Sequence, residues 1–380
     1  MNIQGMGLIE AAYGNPMAQG ALSGLDEFLW LVGRVVADNR FIAIFSLLFG
    51  VGIALQGDRH DAAGIDATRM HLRRMGWLLL FGAIHGVLVW YGDILVTYVV
   101  CGLFVFWLRR VTPGALLVVA IVLLLVPTLM ASQAQNTLSL APPVVQEYLS
   151  ALYWTPSTAV VRSEVNDYLG PWAEQTTRRL DAVGFMLGHL LPTLNFWKSS
   201  ALMLIGMALY RLGVFGSQEH SPIPGRLVIW GVSIGVLVGT IGLYQDYAHG
   251  WHISFSLHTG RIWLYWSGLF MGVGYVGGMV WMLNSNRLTR IKGRMMAVGR
   301  MALSNYIAQS LLGSLIFYGH GLGRFNAWSL GELFLLTVVI WVSQLLWSPW
   351  WLARFRYGPL EWVWRSLTLW QRQPFRRQSS

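Results

Sequence analysis

Nine stretches of this chain stay apolar for too long to lie on the surface of a water-soluble domain. A helix needs about 20 residues to cross the hydrocarbon core, somewhat fewer where flanking side chains snorkel. Residues 41–56, 75–92, 93–108, 114–131, 183–210, 227–244, 261–283, 297–318 and 329–352 answer that description. The sequence therefore predicts an all-α, polytopic membrane helix bundle of about nine spans. Composition agrees, since 55% of the 380 residues are apolar and only 12% charged, outside the range of ordinary soluble domains.

The second and third segments are joined by little more than Tyr91, Gly92 and Asp93, which predicts an antiparallel hairpin with its turn at the membrane surface. The roughly 50 residues after the fourth segment include "LAPPVVQEYLSALYW", too polar to span and suited to short interfacial helices. Five regions follow: an extracytoplasmic N-terminal segment (1–40), N-terminal membrane helices (41–131), an extracytoplasmic loop (132–182), C-terminal membrane helices (183–352) and a cytoplasmic interfacial tail (353–380).

A formal net charge of +10 would suggest nucleic acid in a soluble protein. Here the basic residues fall in short loops, where they set topology and meet anionic headgroups, so the expected partner is the lipid bilayer and not nucleic acid. Sorting them by side puts nineteen on one face, among them Arg287, Arg290, Lys292, Arg294 and Arg300, against seven on the other, with Lys198 left inside the fifth segment. That asymmetry predicts a cytoplasmic C-terminus. An odd number of crossings then leaves residues 1–39 outside. "MNIQGM" carries neither a signal peptide nor a span, so it reads as the outer end of a helix further upstream, with Met1 an internal methionine. The other reading is a short polar N-terminus translocated behind the first span. Cys101 is the single cysteine, so no intrachain disulfide can form. Oligomeric state is not legible.

The strongest local patterns are "VGRMALSNYIAQSLLGSLIFYGHGLG" (298–323), which contains Tyr306, and "YGPLEWVWRSLTLW" (357–370). With "FSLLFGVGIALQ" (45–56), "LRRMGWLLLFGAIHGVLVWYGDILVTYVVCG" (72–102) and "LMLIGMALYRLG" (202–213), they resemble the YeiB-like family of bacterial membrane proteins, domain of unknown function 418. The family's N-terminal helix ends in an Asn-Ile stretch, present here as Asn2-Ile3, but its opening Arg-Gly is missing, so ten helices are implied for the family and nine for this chain. The resemblance implies a bacterial cytoplasmic (inner) membrane location. More distantly, the chain looks related to membrane acyltransferases that pass an acyl group from a cytoplasmic donor to a sugar on the far side.

Ionisable groups inside a membrane are costly enough to be functional candidates. His85, in "FGAIHGVLVWYGDIL", reads as near mid-depth, able to act as a general base or to carry an acyl group. The plainer role is a histidine bonded to a neighbouring carbonyl. Asp93 follows eight residues later, about 12 Å along a helix axis, which predicts that it is too far to orient His85 and caps the third segment instead.

Asn195 and Lys198 share a helix face, and Lys198 near the middle of its helix can hold a phosphate or polarise a carbonyl. Alternatively, Pro192 breaks that helix and lets Lys198 snorkel. Asn305 and Gln309, with Arg300 one turn inward, serve either interhelical hydrogen bonding or a site. If His85, Lys198, Asn305 and Gln309 converge, they line one polar chamber. Gly268, Gly272, Gly274 and Gly278 read as helix packing. Glu361 and Arg365 form an i,i+4 pair on an interfacial segment. His249, His252 and His258 match no metal-ligand spacing, so no metal is expected.

The absence of a phosphate loop, a nucleophile elbow or a Cys-His metal pattern excludes common hydrolase and nucleotide-binding classes. Two functions are expected. One is a membrane acyltransferase with no permanently bound cofactor, acyl-CoA as co-substrate and a small-molecule or glycan hydroxyl as acceptor. The alternative is a transporter of a small solute or lipid. A purely scaffolding role is a third.

Overall fold

The computed structural model describes residues 2–18, 20, 22–38, 40–216, 221–285 and 288–377. Met1 and Arg287, used above for topology, lie outside the described residues. All named secondary structure among them is helical. Three short helices open the chain: α1 (Asn2–Gly7), α2 (Glu10–Gly14) and α3 (Gly24–Val36). The first half of the bundle is α4 (Arg40–Ala62), α5 (Ala67–Leu88), α6 (Leu95–Phe106) and α7 (Pro113–Ser139). The segment 132–182 carries the end of α7, α8 (Pro143–Tyr153), α9 (Thr158–Leu169) and most of α10 (Trp172–Phe185). A π-helical stretch (Met186–Asn195) leads into α11 (Phe196–Arg211), followed by α12 (Ile223–Ala248) and the single turn α13 (Ile253–Phe255). A π-helical turn (Ser256–Gly260) opens α14 (Arg261–Asn284), and α15 (Thr289–Arg300), α16 (Ala302–Phe317), α17 (Leu330–Arg354) and α18 (Pro359–Leu369) complete the chain.

Each of the nine apolar segments falls on helix. Among the described residues, Gly24–Ala62, Pro113–Ser139, Ile223–Ala248, Ile253–Asn284 and Leu330–Arg354 are long and apolar enough to cross a membrane, and α6 and α16 are shorter apolar helices. The chain is an all-α membrane bundle.

Two of the differences from the boundaries read in the sequence have a direct physical cause. The 75–92 segment leaves helix after Leu88, because the apolar Val89 and Trp90 belong to a turn in which Trp90 is buried. The 297–318 segment divides at Met301, where Glu361 supplies an acceptor for the new helix start: Ser304 N donates to its Oε1 at 3.0 Å and Ser304 Oγ to its Oε2 at 2.5 Å.

Lipid is as apolar as leucine, so helices in a bilayer associate by close packing more than by hydrophobic burial. At the centre stands α11, with Ala201, Leu202, Met203, Leu204, Met207 and Ala208 wholly buried. It crosses α4 at backbone contact: a Cβ on Gly50 would lie 2.0 Å from the Met203 carbonyl, and one on Gly206 2.0 Å from that of Leu47. The glycine stripe of α14 packs likewise, Gly272 against Ala43 on α4 and Gly274 against Gly231 and Val232 on α12. A second core, rich in aromatic residues such as Trp30, Trp90, Trp154, Tyr168 and Tyr318, gathers α1–α3, α9 and the loop after α16 over one end of the bundle. In α1, Ile3 and Met6 are buried, and the Gly7 carbonyl accepts from Asn326 N at 2.8 Å.

Candidate functional site

The turn after α5 builds the site. The His85 carbonyl accepts from both Val89 N and Trp90 N at 3.0 Å, closing the helix just beyond the histidine. The chain then reverses and returns Asp93 to the flank of α5, where Gly82 provides the room: a Cβ there would lie 2.9 Å from Asp93 Oδ2. His85 Nδ1 and Asp93 Oδ1 are 2.8 Å apart, with side chains 1% and 5% exposed. One expectation is thereby corrected: Asp93 does reach His85, because the 12 Å separation assumed one unbroken helix, whereas His85 lies in the last turn of α5 and the chain turns back beyond it. Asp93 Oδ2 also accepts from Val96 N at 2.8 Å, so the same carboxylate ties down the start of α6.

Tyr306 on α16 completes the group. Its hydroxyl lies 3.4 Å from His85 Nδ1 and 3.5 Å from Asp93 Oδ1, and it accepts from Ile94 N at 3.3 Å. A carboxylate only accepts, so Asp93 draws the imidazole proton to Nδ1 and leaves the lone pair on Nε2. His85 Nε2 is buried with no hydrogen-bond partner among the described residues. A carboxylate-oriented imidazole with its far nitrogen unengaged is equipped to take a proton from a hydroxyl.

The other candidates do not join His85 in one chamber. Asn305 and Gln309 serve the α16–α17 contact: Asn305 Nδ2 donates to Ser348 Oγ at 3.1 Å, Trp347 Nε1 donates to Asn305 Oδ1 at 3.0 Å, and Gln309 Nε2 donates to Gln344 Oε1 at 2.8 Å. Arg300 is exposed and donates to the Arg356 carbonyl at 3.1 Å. Glu361 is taken up by Ser304 as described, and Arg365 lies 5.2 Å over the Tyr357 ring, so the expected Glu361–Arg365 pair is not formed. His249 Nδ1 donates to the Gln245 carbonyl at 2.8 Å, and the imidazole of His252 caps α13 through Ser254 N.

Lys198 belongs to a different polar group. Pro192 does not break its helix. The wider π-helical turn accommodates the ring, and the Pro192 carbonyl accepts from Trp197 Nε1 at 2.6 Å. Asn195 closes that stretch, half-buried. Lys198 is therefore buried rather than snorkelling, 3% exposed, its Nζ 5.7 Å from the Tyr265 ring. The charges acting on it are those of Arg40 and Asp38, and Asp38 is paired with Arg34 at 2.6 Å. Arg34 and Asp38 are legible in the sequence as an i,i+4 pair of opposite charge directly ahead of an apolar run.

Fold and site together define a helical membrane protein with a buried histidine–aspartate pair. The pattern of the DUF418 family, proteins of unknown function, matches residues 209–371. Relatives extend the likeness. The uncharacterised protein YeiB of Escherichia coli (strain K12) is 31% identical over 375 residues, covering 97% of this chain and 92% of that protein. The uncharacterised protein YxaH of Bacillus subtilis (strain 168) is 30% identical, covering 90% and 82% respectively. An uncharacterised 39.9 kDa protein from the amylase 3' region of Bacillus acidopullulyticus is 26% identical, covering 87% and 80%. No solved structure matches. The chain belongs to the YeiB-like DUF418 family.

Proposed function

We propose that this protein transfers an acyl group from an acyl-CoA to a hydroxyl acceptor, with His85 as general base. The observation that carries the reading is the 2.8 Å contact between His85 Nδ1 and Asp93 Oδ1, with Nε2 left unengaged. The acceptor hydroxyl gives its proton to His85 Nε2 as its oxygen attacks the thioester carbonyl. The carbon–sulfur bond breaks, and the CoA thiolate takes the proton back from the imidazolium. Asp93 fixes the tautomer and stabilises the transient imidazolium, as the carboxylate of a catalytic triad does. Tyr306 holds that carboxylate in place. In the topology proposed with it, the protein sits in the cytoplasmic membrane with its C-terminus in the cytoplasm, and the acceptor is an extracytoplasmic glycan or small molecule.

The test is thermal unfolding of the purified chain in detergent, with acetyl-CoA and longer acyl-CoAs. A ligand that binds the folded state raises Tm with its concentration. Stabilisation by acyl-CoA but not by free acid supports the reading. No shift with any donor, together with solute uptake by donor-free proteoliposomes, would turn the assignment to a transporter.

A further inference from the structure

The His85 site depends on α5 stopping at Leu88, and the last turn of any helix leaves its carbonyls without intrahelical partners. The His85 carbonyl is taken by Val89 N and Trp90 N, as described. Two more are taken from α10: Arg179 Nε donates to the Val87 carbonyl at 3.0 Å, and Trp172 Nε1 to the Leu88 carbonyl at 3.2 Å. The same helix packs beside the pair, since a Cβ on Gly86 would lie 3.5 Å from Asp93 Cβ and 3.8 Å from Val183 Cγ2.

Arg179 is wholly buried. Its Nη1 donates to Gln175 Oε1 at 3.2 Å, and its Nη2 to Thr176 Oγ1 at 2.7 Å and the Trp172 carbonyl at 3.3 Å, with the Trp172 ring centroid 5.2 Å from the guanidinium. Gln175, also buried, is anchored in turn: its Nε2 donates to the Tyr168 and Gly170 carbonyls at 3.1 and 2.6 Å. His320 Nδ1 meets the same Gln175 oxygen at 3.0 Å and joins the loop after α16 to this framework.

A guanidinium suits this place for two reasons. Its rigid fork bonds a carbonyl of one helix and side chains of another at once, a geometry that a lysine ammonium on its flexible stem does not fix. Its charge also lies at a helix C-terminus, where the macrodipole favours a cation. In a continued α-helix the Val87 and Leu88 carbonyls would accept from Tyr91 N and Gly92 N. Arg179 and Trp172 satisfy them without the helix, so the chain is released to turn and Asp93 returns to His85.

We propose that Arg179 and Trp172 are positioning residues that end α5 and thereby set the 2.8 Å contact between His85 Nδ1 and Asp93 Oδ1. Their consequence for catalysis rests on the acyl-transfer reading; the placement of the pair does not.

The experiment reads the pair directly. Side-chain 15N NMR of the full chain in detergent, with labelled histidine and the His85 signals assigned by His85→Gln, shows which ring nitrogen holds the proton at about pH 8.5, above the ordinary imidazole range. Wild type is expected to carry it on Nδ1. Arg179→Gln is expected to lose that preference, as Asp93→Asn does, and to lower kcat about 100-fold with KM unchanged, the scale of a 1 Å misplacement. Adding Arg179→Gln to Asp93→Asn should cost no more than about twofold further, because residues that act through one another are not additive. A wild-type His85 signal in Arg179→Gln overturns the proposal, and so do independent effects in the double variant. Should Arg179→Gln not fold, Trp172→Phe decides: it keeps a ring beneath the guanidinium, removes the Leu88 bond from an exposed residue and is expected to weaken the Nδ1 preference, so a wild-type signal there overturns the proposal. Absence of acyl transfer by wild type contradicts the catalytic reading alone, since the NMR needs no substrate.

Discussion

Gly82 stands directly beneath Asp93, so that a single methyl group at position 82 would lie 2.9 Å from the carboxylate oxygen Oδ2. Gly82→Ala must move either α5 or the returning turn. The account predicts a fall in acyl transfer of about 100-fold, the scale of a 1 Å misplacement, with a stability loss of about 1 to 3 kcal/mol from overpacking. Activity and urea unfolding of the purified variant check it; unchanged activity would mean that Asp93 need not sit where it does.

Asp93→Asn keeps the shape of the pair and removes its charge. An amide can donate to Nδ1 and push the imidazole proton onto Nε2, which costs up to about 10⁴-fold in a triad. The expected signature is a collapse in kcat with little change in KM, read from steady-state kinetics.

How much of this site was legible depends on which residue is asked. Gly-x-x-His followed by Gly-Asp is plain in the sequence, and so are the apolar segments, because hydropathy is a composition signal that survives errors in boundary. The His85–Asp93 contact was not legible: Val89 and Trp90 are apolar and disguise the end of α5, and only a helix that stops at Leu88 lets Asp93 fold back. Asn305 and Gln309 declared an amide pair, but their partners Ser348 and Gln344 come from another helix. Lys198 was visible as an intramembrane cation, whereas Arg40, whose charge acts on it, lies more than 150 residues earlier in the chain.

Glu164 on α9 is 6% exposed and accepts from Glu10 N at 2.9 Å, linking α9 to α2. Burial pushes its carboxyl up to about 7 from an ordinary 4.5, reinforced by the charges of Glu10 and Asp167 and opposed by the Glu10 amide and Arg178. The folded state therefore holds the proton more tightly than the unfolded state. Its contribution is fully present below about pH 4.5 and is lost as pH rises through about 7. Tm should fall across that window, and Glu164→Gln should remove this component, measured as Tm against pH for both proteins.

Gly206→Ala places a methyl 2.0 Å from the Leu47 carbonyl, a backbone atom that cannot rotate away. The α4–α11 crossing must open, and a loss of at least about 3 kcal/mol is expected. Denaturant unfolding reads it; a variant as stable as wild type would place the helices further apart than described.

Glu361→Ala removes acceptors from Ser304 N and Oγ at the start of α16. A lost helix cap costs about 1 to 2 kcal/mol, and Arg365→Ala should cost less because it is not the partner of Glu361. Comparing the Tm of the two variants tests that order.

The most direct measurement of the central claim is release of CoA thiol from acyl-CoA by the purified protein in liposomes supplied with glycan acceptors, comparing wild type with His85→Ala of matched Tm. The account predicts acceptor-dependent thiol release by wild type and its loss in the variant. Equal release by both proteins would contradict the role given to His85.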